Sequence, residues 1–324
     1  MRHQASQRKK SASGSLVLAY DLGGTKVAVG VVDSKGKIIA EIRVPVVIEQ
    51  GKAAVLKQLV ELGKRLIAEH PRVKRVGIAS AGPLDPIKGL LFDPTNFVSA
   101  KDPHGWGVVP IAKILSKGLK KPVVLENDAA AAMLAEHWKG AAKGYDNAMI
   151  LTLGTGLGTG IITNGSLLRS GRGLHPEAGH MIIKDGDTSA PCGCGNSGCA
   201  EAYLSGRSFA RRARTRFSNP NLKPIDIAKL ARAGDPRAHA AFEEYAQLMA
   251  VALSNYVAMF SPEIFVFTGG FAESADLFLD KTSYHLERLL KRRRAGVDLM
   301  PKLAVSKLDN EAGLLGGAFV ALNR

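Results

Sequence analysis

Leu16-Val17-Leu18-Ala19-Tyr20-Asp21-Leu22-Gly23-Gly24-Thr25-Lys26 and Met149-Ile150-Leu151-Thr152-Leu153-Gly154-Thr155-Gly156-Leu157-Gly158-Thr159-Gly160 are two versions of one arrangement. Each opens with an apolar run that predicts a buried strand and passes into glycines that predict a tight turn. Val27–Val32 and Ile161–Ile162 read as the returning strands. Asp33-Ser34-Lys35-Gly36 and Thr163-Asn164-Gly165-Ser166 follow as hairpin turns, the first leading to a third strand near Ile38–Val44. Internal repetition constrains a fold more than any single motif does. Here it predicts two α/β domains, each opened by a glycine turn, facing each other across one phosphate site.

Working outward, Val55, Leu56, Leu59, Val60, Leu66 and Ile67 recur at helical spacing, and Pro71 closes that helix. Val76–Ala79 and Val123–Leu125 read as strands, with a turn-rich loop from Ala81 to Pro86 between them. Asn127 and Asp128 stand at the head of an Ala-rich helix running toward Trp138, where either residue type serves as an N-cap. Helices dominate Ser205–Phe260, and their stripe of Phe242, Tyr245, Leu248, Met249, Leu253, Tyr256, Val257 and Phe260 reads as core. Ile264–Phe267 is a strand running into Thr268-Gly269-Gly270, which opens another helix, and Gly313–Leu322 is a small-residue helix suited to close packing. The expected organisation is a basic tail over residues 1–14, a first domain of 15–126 plus about 308–324, and a second of 127–307.

With 324 residues the chain can bury two sizeable cores. No stretch approaches about 18 uninterrupted apolar residues, so no membrane span is expected. Met1–Gly14 lacks the apolar centre of a secretory signal. The net charge of +15 gathers in Arg8-Lys9-Lys10, Arg207–Arg216 and Lys291-Arg292-Arg293-Arg294. Such runs serve nucleic acid, a solvated face or attraction of anionic substrates equally well. Aromatic residues are 6% and do not interleave with them, so nothing suggests a stacking platform and nucleic acid is not expected as a partner.

All three cysteines fall in Cys192-Gly193-Cys194-Gly195-Asn196-Ser197-Gly198-Cys199, with Glu201 just beyond and His180 upstream in Glu177-Ala178-Gly179-His180. An odd count speaks against a disulfide framework. Three thiolates and one imidazole form the closed tetrahedral set of a structural zinc site, so His180, Cys192, Cys194 and Cys199 are predicted to hold Zn²⁺. That chemistry fits a reducing, cytoplasmic setting.

Glycine turns after buried strands suit phosphate, because backbone N–H groups can approach the anion unobstructed. Neither turn is a Walker A sequence, and the second is not the dinucleotide fingerprint.

The stretch Leu151–His180 resembles the signature of the ROK family of repressors, uncharacterised frames and sugar kinases, and Cys192–Glu201 resembles its zinc motif. Asp21–Lys26 resembles its first phosphate motif, Asn127-Asp128 its catalytic pair and Thr268-Gly269-Gly270 its adenosine segment. The resemblance implies the actin-like, ribonuclease-H-like ATPase fold, two α/β domains with a cleft between them. It also implies a kinase that moves the γ-phosphoryl of ATP, with Mg²⁺, onto a hexose, glucose before all. Asp128 would be the general base. Asn127, Glu177, His180 and Glu201 would hold the sugar, with zinc orienting His180. Asp21 would hold Mg²⁺ through water. Gly23, Gly24, Thr25, Lys26, Gly154, Thr155, Gly156, Gly158, Gly269 and Gly270 would face the nucleotide.

Other sugars that the family's kinases imply are N-acetylmannosamine, N-acetylglucosamine and fructose, and a homodimer is the implied assembly. A sugar-responsive regulator is the alternative of another class; it would need a helix-turn-helix domain, and only about fifteen residues precede Leu16. The chain departs from the family at Ala130, where Asn is usual, and in the long loop Val98–Gly107 with His104 and Trp106. His175 reads as a surface or packing residue.

Overall fold

The computed structural model of this protein describes residues 14–94, 97–171, 173–217, 219–291 and 298–324. The tail before Gly14, with Arg8, Lys9 and Lys10, lies outside the described residues, as do Arg292, Arg293 and Arg294. The chain divides into two compact units, one running to Ala131 and resuming at Gly313–Arg324, the other Ala132–Ala312.

In the first unit β1 (Leu16–Leu22), β2 (Lys26–Asp33) and β3 (Ile38–Pro45) form an antiparallel meander, followed by α1 (Lys52–Glu69) and β4 (Val73–Ser80). A small three-stranded sheet, β5 (Leu84–Asp85), β6 (Leu90–Phe92) and β7 (Val108–Val109), precedes α2 (Ile111–Leu119), β8 (Val123–Asn127) and α3 (Asp128–Lys139). The main sheet has the order β3-β2-β1-β4-β8, with β4 parallel to both β1 and β8. Such parallel pairing needs the helical crossovers that α1 and α2 provide.

The second unit repeats this design. β9 (Ala148–Leu153), β10 (Leu157–Thr163) and β11 (Ser166–Leu167) form the meander. Then come α4 (Ala200–Leu204), α5 (Gly206–Ala213), α6 (Pro224–Arg232), α7 (Pro236–Phe260), β12 (Ile264–Thr268), α8 (Leu279–Leu290) and β13 (Lys302–Val305). Its sheet order β11-β10-β9-β12-β13 matches the first strand for strand, with β12 parallel to β9 and β13. The last helix, α9 (Ala312–Asn323), returns to the first unit.

Each unit has its own core. The first gathers Leu18, Tyr20, Val29, Ile78, Leu115 and Leu125. Tyr20 is fully buried because its hydroxyl donates to the Leu59 carbonyl at 2.9 Å, removing the cost of an unpaired phenol. The second core is built on α7. Phe242, Tyr245, Met249, Leu253, Tyr256 and Val257 are buried, while Leu248 and Phe260 are half-buried at its margin. Asp235 caps that helix through the Arg237 and Ala238 N–H groups, and Pro236 starts it.

The small residues of α9 do what their size predicts. A Cβ on Gly77 of β4 would lie 2.0 Å from the Gly317 carbonyl, so helix and strand meet backbone to backbone. The division between units falls inside α3, between Ala131 and Ala132, and not ahead of Asn127. The reason is register. Asn127 pairs with Ser80 as the last residue of β8, so the first sheet carries the Asn127–Asp128 pair.

The cations of Arg207–Arg216 are largely engaged in holding the fold. Arg212 and Arg216 both bond Glu244, and Arg212 stacks on Tyr203. Arg214 donates to the Leu222 carbonyl at 2.6 Å. No helix among the described residues is long and apolar enough to cross a membrane.

Candidate active site

In the first unit, sheet register assembles the acidic residues. β1 and β8 both run parallel to β4, with Asp21 opposite Ala79 and Asn127 opposite Ser80. Two strand spacings, about 10 Å, therefore separate Asp21 from the strand end that carries the catalytic pair. Beyond Asp21 the chain turns through Gly23, Gly24 and Thr25, closed by the Gly23 N–H on the Lys26 carbonyl at 3.1 Å. Thr25 and Lys26 are exposed. The start of α9 covers Asp21: a Cβ on Gly313 would lie 2.4 Å from its Cγ, so only glycine leaves room for the carboxylate there.

Burial, then the charge of Asp128, push the Asp21 carboxyl up to about 6 against the lowering effect of Arg43. Two carboxylates that resist joint ionisation form a donor set that a hard divalent cation relieves, and Mg²⁺ takes few carboxylates and keeps water. Asp21 and Asp128 fit that group.

Asn127 is the N-cap of α3: its Oδ1 accepts the Ala130 N–H at 3.0 Å. Asp128 is exposed at the helix head, its Oδ1 on the Ala129 N–H at 2.8 Å. Ala130 is fully buried, where a polar side chain would need a partner. In the loop Val98–Gly107, Trp106 is a core residue stacked on Phe97 at 4.8 Å, with its backbone N–H on Asp93. His104 stays exposed.

In the second unit the glycine turn is shorter than the sequence suggests. Gly154, Thr155 and Gly156 form it, with the Gly154 N–H on the Gly156 carbonyl at 3.1 Å. Gly158 lies inside β10, opposite Thr152, and donates to the Thr152 Oγ1. The Leu157 N–H is held by Glu201 Oε2 at 2.9 Å. That leaves Thr155 and Gly156 as the part of the turn open to an anion. A Cβ on Gly156 would lie 2.6 Å from Glu201 Oε2, so this glycine admits the carboxylate.

β12 runs beside β9, placing Thr268 opposite Thr152 and Gly269 against the Leu153 backbone. Gly269 has φ 89°, and Gly270 begins the helix expected there, which is of the 3₁₀ type.

The ligand atoms of His180, Cys192, Cys194 and Cys199 lie within 4.8 Å of one another. His180 Nδ1 is 3.4 Å from Cys192 Sγ, and Cys194 Sγ is 3.7 Å from Cys199 Sγ. A tetrahedron with zinc–sulfur bonds of about 2.3 Å has edges of about 3.8 Å, so these spacings fit Zn²⁺. Burial, then hydrogen bonding to the Cys194 side chain and the nearby Glu201 carboxylate, push the Cys192 thiol up to about 12. Glu201 Oε1 is 3.4 Å from Cys192 Sγ, so one carboxylate joins the cysteine cluster to the glycine turn.

His175 is buried, and its Nε2 lies 3.1 Å from Oε1 of the exposed Glu177, whose carboxyl is held below its usual range by that bond. It is a packing residue with a polar partner, not a surface residue. The sequence reading missed this pairing and the links of Glu201 and Gly313. An i, i+2 spacing across Pro176 was the one local sign of the first; the other two join distant segments and leave no sign.

Each unit thus carries its own part of the predicted set. Asp21, Gly23, Gly24, Thr25, Lys26, Asn127 and Asp128 belong to the first. Gly154, Thr155, Gly156, Gly158, Glu177, His180, Cys192, Cys194, Cys199, Glu201, Gly269 and Gly270 belong to the second. The sequence profile of the ROK family matches residues 17–324. The chain belongs to the ROK family. It is 30% identical to a glucokinase of Thermotoga maritima over 321 residues, covering 95% of this chain and 98% of that one. It is 33% identical to an N-acetyl-D-glucosamine kinase of Salmonella newport over 311 residues, covering 94% and 98%. The crystal structure of a ROK family glucokinase from Streptomyces griseus in complex with glucose and AMPPNP superposes with a TM-score of 0.76 at 30% identity, covering 94% of this chain and 99% of that one. The duplicated five-stranded sheets are therefore those of the actin-like ATPase fold.

Proposed function

We propose that this ROK protein is an ATP-dependent hexose kinase that phosphorylates glucose at its 6-hydroxyl. The observation that carries the reading is that Asp21 and Asp128 stand at the same end of the parallel strands of the first sheet, beside the Gly23–Gly24 turn. The family membership and the glucose and AMPPNP bound by the Streptomyces griseus relative support it.

Asp128 accepts the proton of the sugar hydroxyl as that oxygen bonds to the γ-phosphorus, the bond from phosphorus to the β-phosphate oxygen breaks, and ADP leaves. Asp21 would hold Mg²⁺, which when bound would supply charge neutralisation at the phosphates. The Thr155–Gly156 segment, the Gly23–Gly24 turn and Gly269–Gly270 face the nucleotide. Asn127 Oδ1 is committed to the helix cap, so its Nδ2 donors meet the sugar. Glu177, His180 and Glu201 recognise further hydroxyls. His180, Cys192, Cys194 and Cys199 would hold one Zn²⁺, which would supply orientation of the imidazole: Nδ1 faces the thiols, leaving Nε2 for substrate. Four protein ligands leave the metal no open position for chemistry.

The deciding experiment is ADP release over a sugar panel of glucose, fructose, N-acetylglucosamine and N-acetylmannosamine. Glucose should give the highest kcat/KM. Absence of phosphorylation of every sugar would reject the reading, and preference for another hexose would keep the kinase and replace its substrate.

A further inference from the structure

β8 is the edge strand of the first sheet, so one side of its backbone has no ladder. Leu125 and Asn127, two positions apart, face the same side. There the Leu125 carbonyl accepts Arg324 Nη1 at 3.3 Å, and the Asn127 N–H donates to Glu126 Oε1 at 3.0 Å. Glu126 Oε2 in turn takes Arg324 Nη2 at 2.8 Å. A carboxylate and a guanidinium thus stand in for the missing strand over the last turn of β8, ending at the catalytic pair. Glu126 is fully buried, and a buried carboxylate is tolerated where a cation and hydrogen bonds compensate it.

We infer that Arg324, which follows α9 and lies 198 positions away in sequence, is a positioning residue for Asn127 and Asp128, acting through Glu126. The inference rests on the reading of Asp128 as general base. Arg324 touches no reacting atom. Its guanidinium holds one oxygen of Glu126 while the other fixes the Asn127 backbone, and Asn127 caps the helix that opens with Asp128. A tilt of that strand end moves the proton acceptor and a sugar ligand together. Misplacement of reacting groups by about 1 Å costs on the order of 10²-fold in rate.

The test compares Arg324→Ala, Arg324→Lys and the double variant Arg324→Ala/Glu126→Gln in the full chain. Steady-state kinetics are measured against sugar and ATP, with thermal melts alongside. Arg324→Ala should lower kcat by about 10- to 100-fold and raise the sugar KM, with the ATP KM within about twofold. Arg324→Lys restores the counter-charge but cannot serve both acceptors, so part of the loss should return. In the double variant the amide needs no counter-charge and its oxygen still accepts the Asn127 N–H, so at least about tenfold of kcat should return.

Unchanged kcat and sugar KM in Arg324→Ala would overturn the inference. So would a double variant that folds but is no more active than the single one. If Arg324→Ala does not fold, the lysine and double variants are compared with wild type instead: a sugar KM raised in Arg324→Lys and nearer wild type in the double variant supports the inference, and an Arg324→Lys variant equal to wild type or a folded but crippled double variant overturns it. Asp128→Ala serves as the control. Full activity there rejects the base assignment itself, whereas an inactive Asp128→Ala beside an unaffected Arg324→Ala rejects the positioning role alone.

Discussion

Asp21→Asn should make the metal-free protein more stable and nearly inactive. Asp21 is pushed from 3.8 to about 6 by burial and by Asp128, so its charged form is the disfavoured one in the fold. A group raised in this way contributes fully to stability below about pH 4, and that contribution is lost as pH rises through about 6. At about 1.4 kcal/mol per pH unit, a rise from 3.8 to about 6 amounts to about 3 kcal/mol above pH 7. The side chain keeps some solvent contact, so about 1–3 kcal/mol is the expected gain for the isosteric amide. Urea denaturation without divalent cations or nucleotide, at pH 5 and pH 8, measures it. The variant should exceed wild type at pH 8, and the gap should narrow toward pH 5, where the wild-type carboxyl takes up its proton. Added Mg²⁺ with nucleotide should stabilise wild type more than the variant. A variant less stable than wild type at pH 8, or a gap that does not shrink on acidification, would refute the reasoning.

Asp128→Ala should cut kcat by about 10² to 10⁴ while sugar affinity, measured by calorimetry, changes little. Metal analysis should find one zinc per chain, and Cys194→Ala or strong chelation should raise the sugar KM. Because Glu201 also holds the Leu157 N–H, nucleotide affinity should fall as well, though by less; zinc-free protein with wild-type sugar kinetics would end this account. Gly77→Ala should destabilise the first unit by about 3 kcal/mol or more in denaturant melts, since its Cβ would meet the Gly317 carbonyl at 2.0 Å. His175→Ala should free the Glu177 carboxylate from its 3.1 Å partner and raise the sugar KM several-fold with kcat near wild type, read from steady-state kinetics.

The duplicated strand–turn–strand units were legible because strand period and glycine turns are local properties of a few residues. The cysteine cluster was legible for the same reason: short spacings force Cys192, Cys194 and Cys199 into one loop. The length of the second glycine turn was misread at Gly158, which the β9–β10 register draws into the ladder. Pattern alone cannot say where pairing stops. Trp106 likewise read as part of a long loop that departs from the family and is core, because its stacking partner Phe97 is set by folding and not by motif.

What the sequence by itself determined, then, is the inventory: two sheets, two glycine turns, a cysteine loop and the residue types able to do phosphoryl transfer. Only the tertiary structure decided which of them meet. Asp21 and Asp128 are joined through the register of β1, β4 and β8, and no local period encodes that two-strand offset. Glu201 bridges the cysteine cluster and the Leu157 N–H because its carboxylate has two oxygens and Gly156 leaves them room. Glu126 and Arg324, 198 positions apart, pair because the unladdered, buried edge of β8 leaves backbone groups that must bond to something. Hydrogen-bond demand of that kind arises only once the sheet has formed.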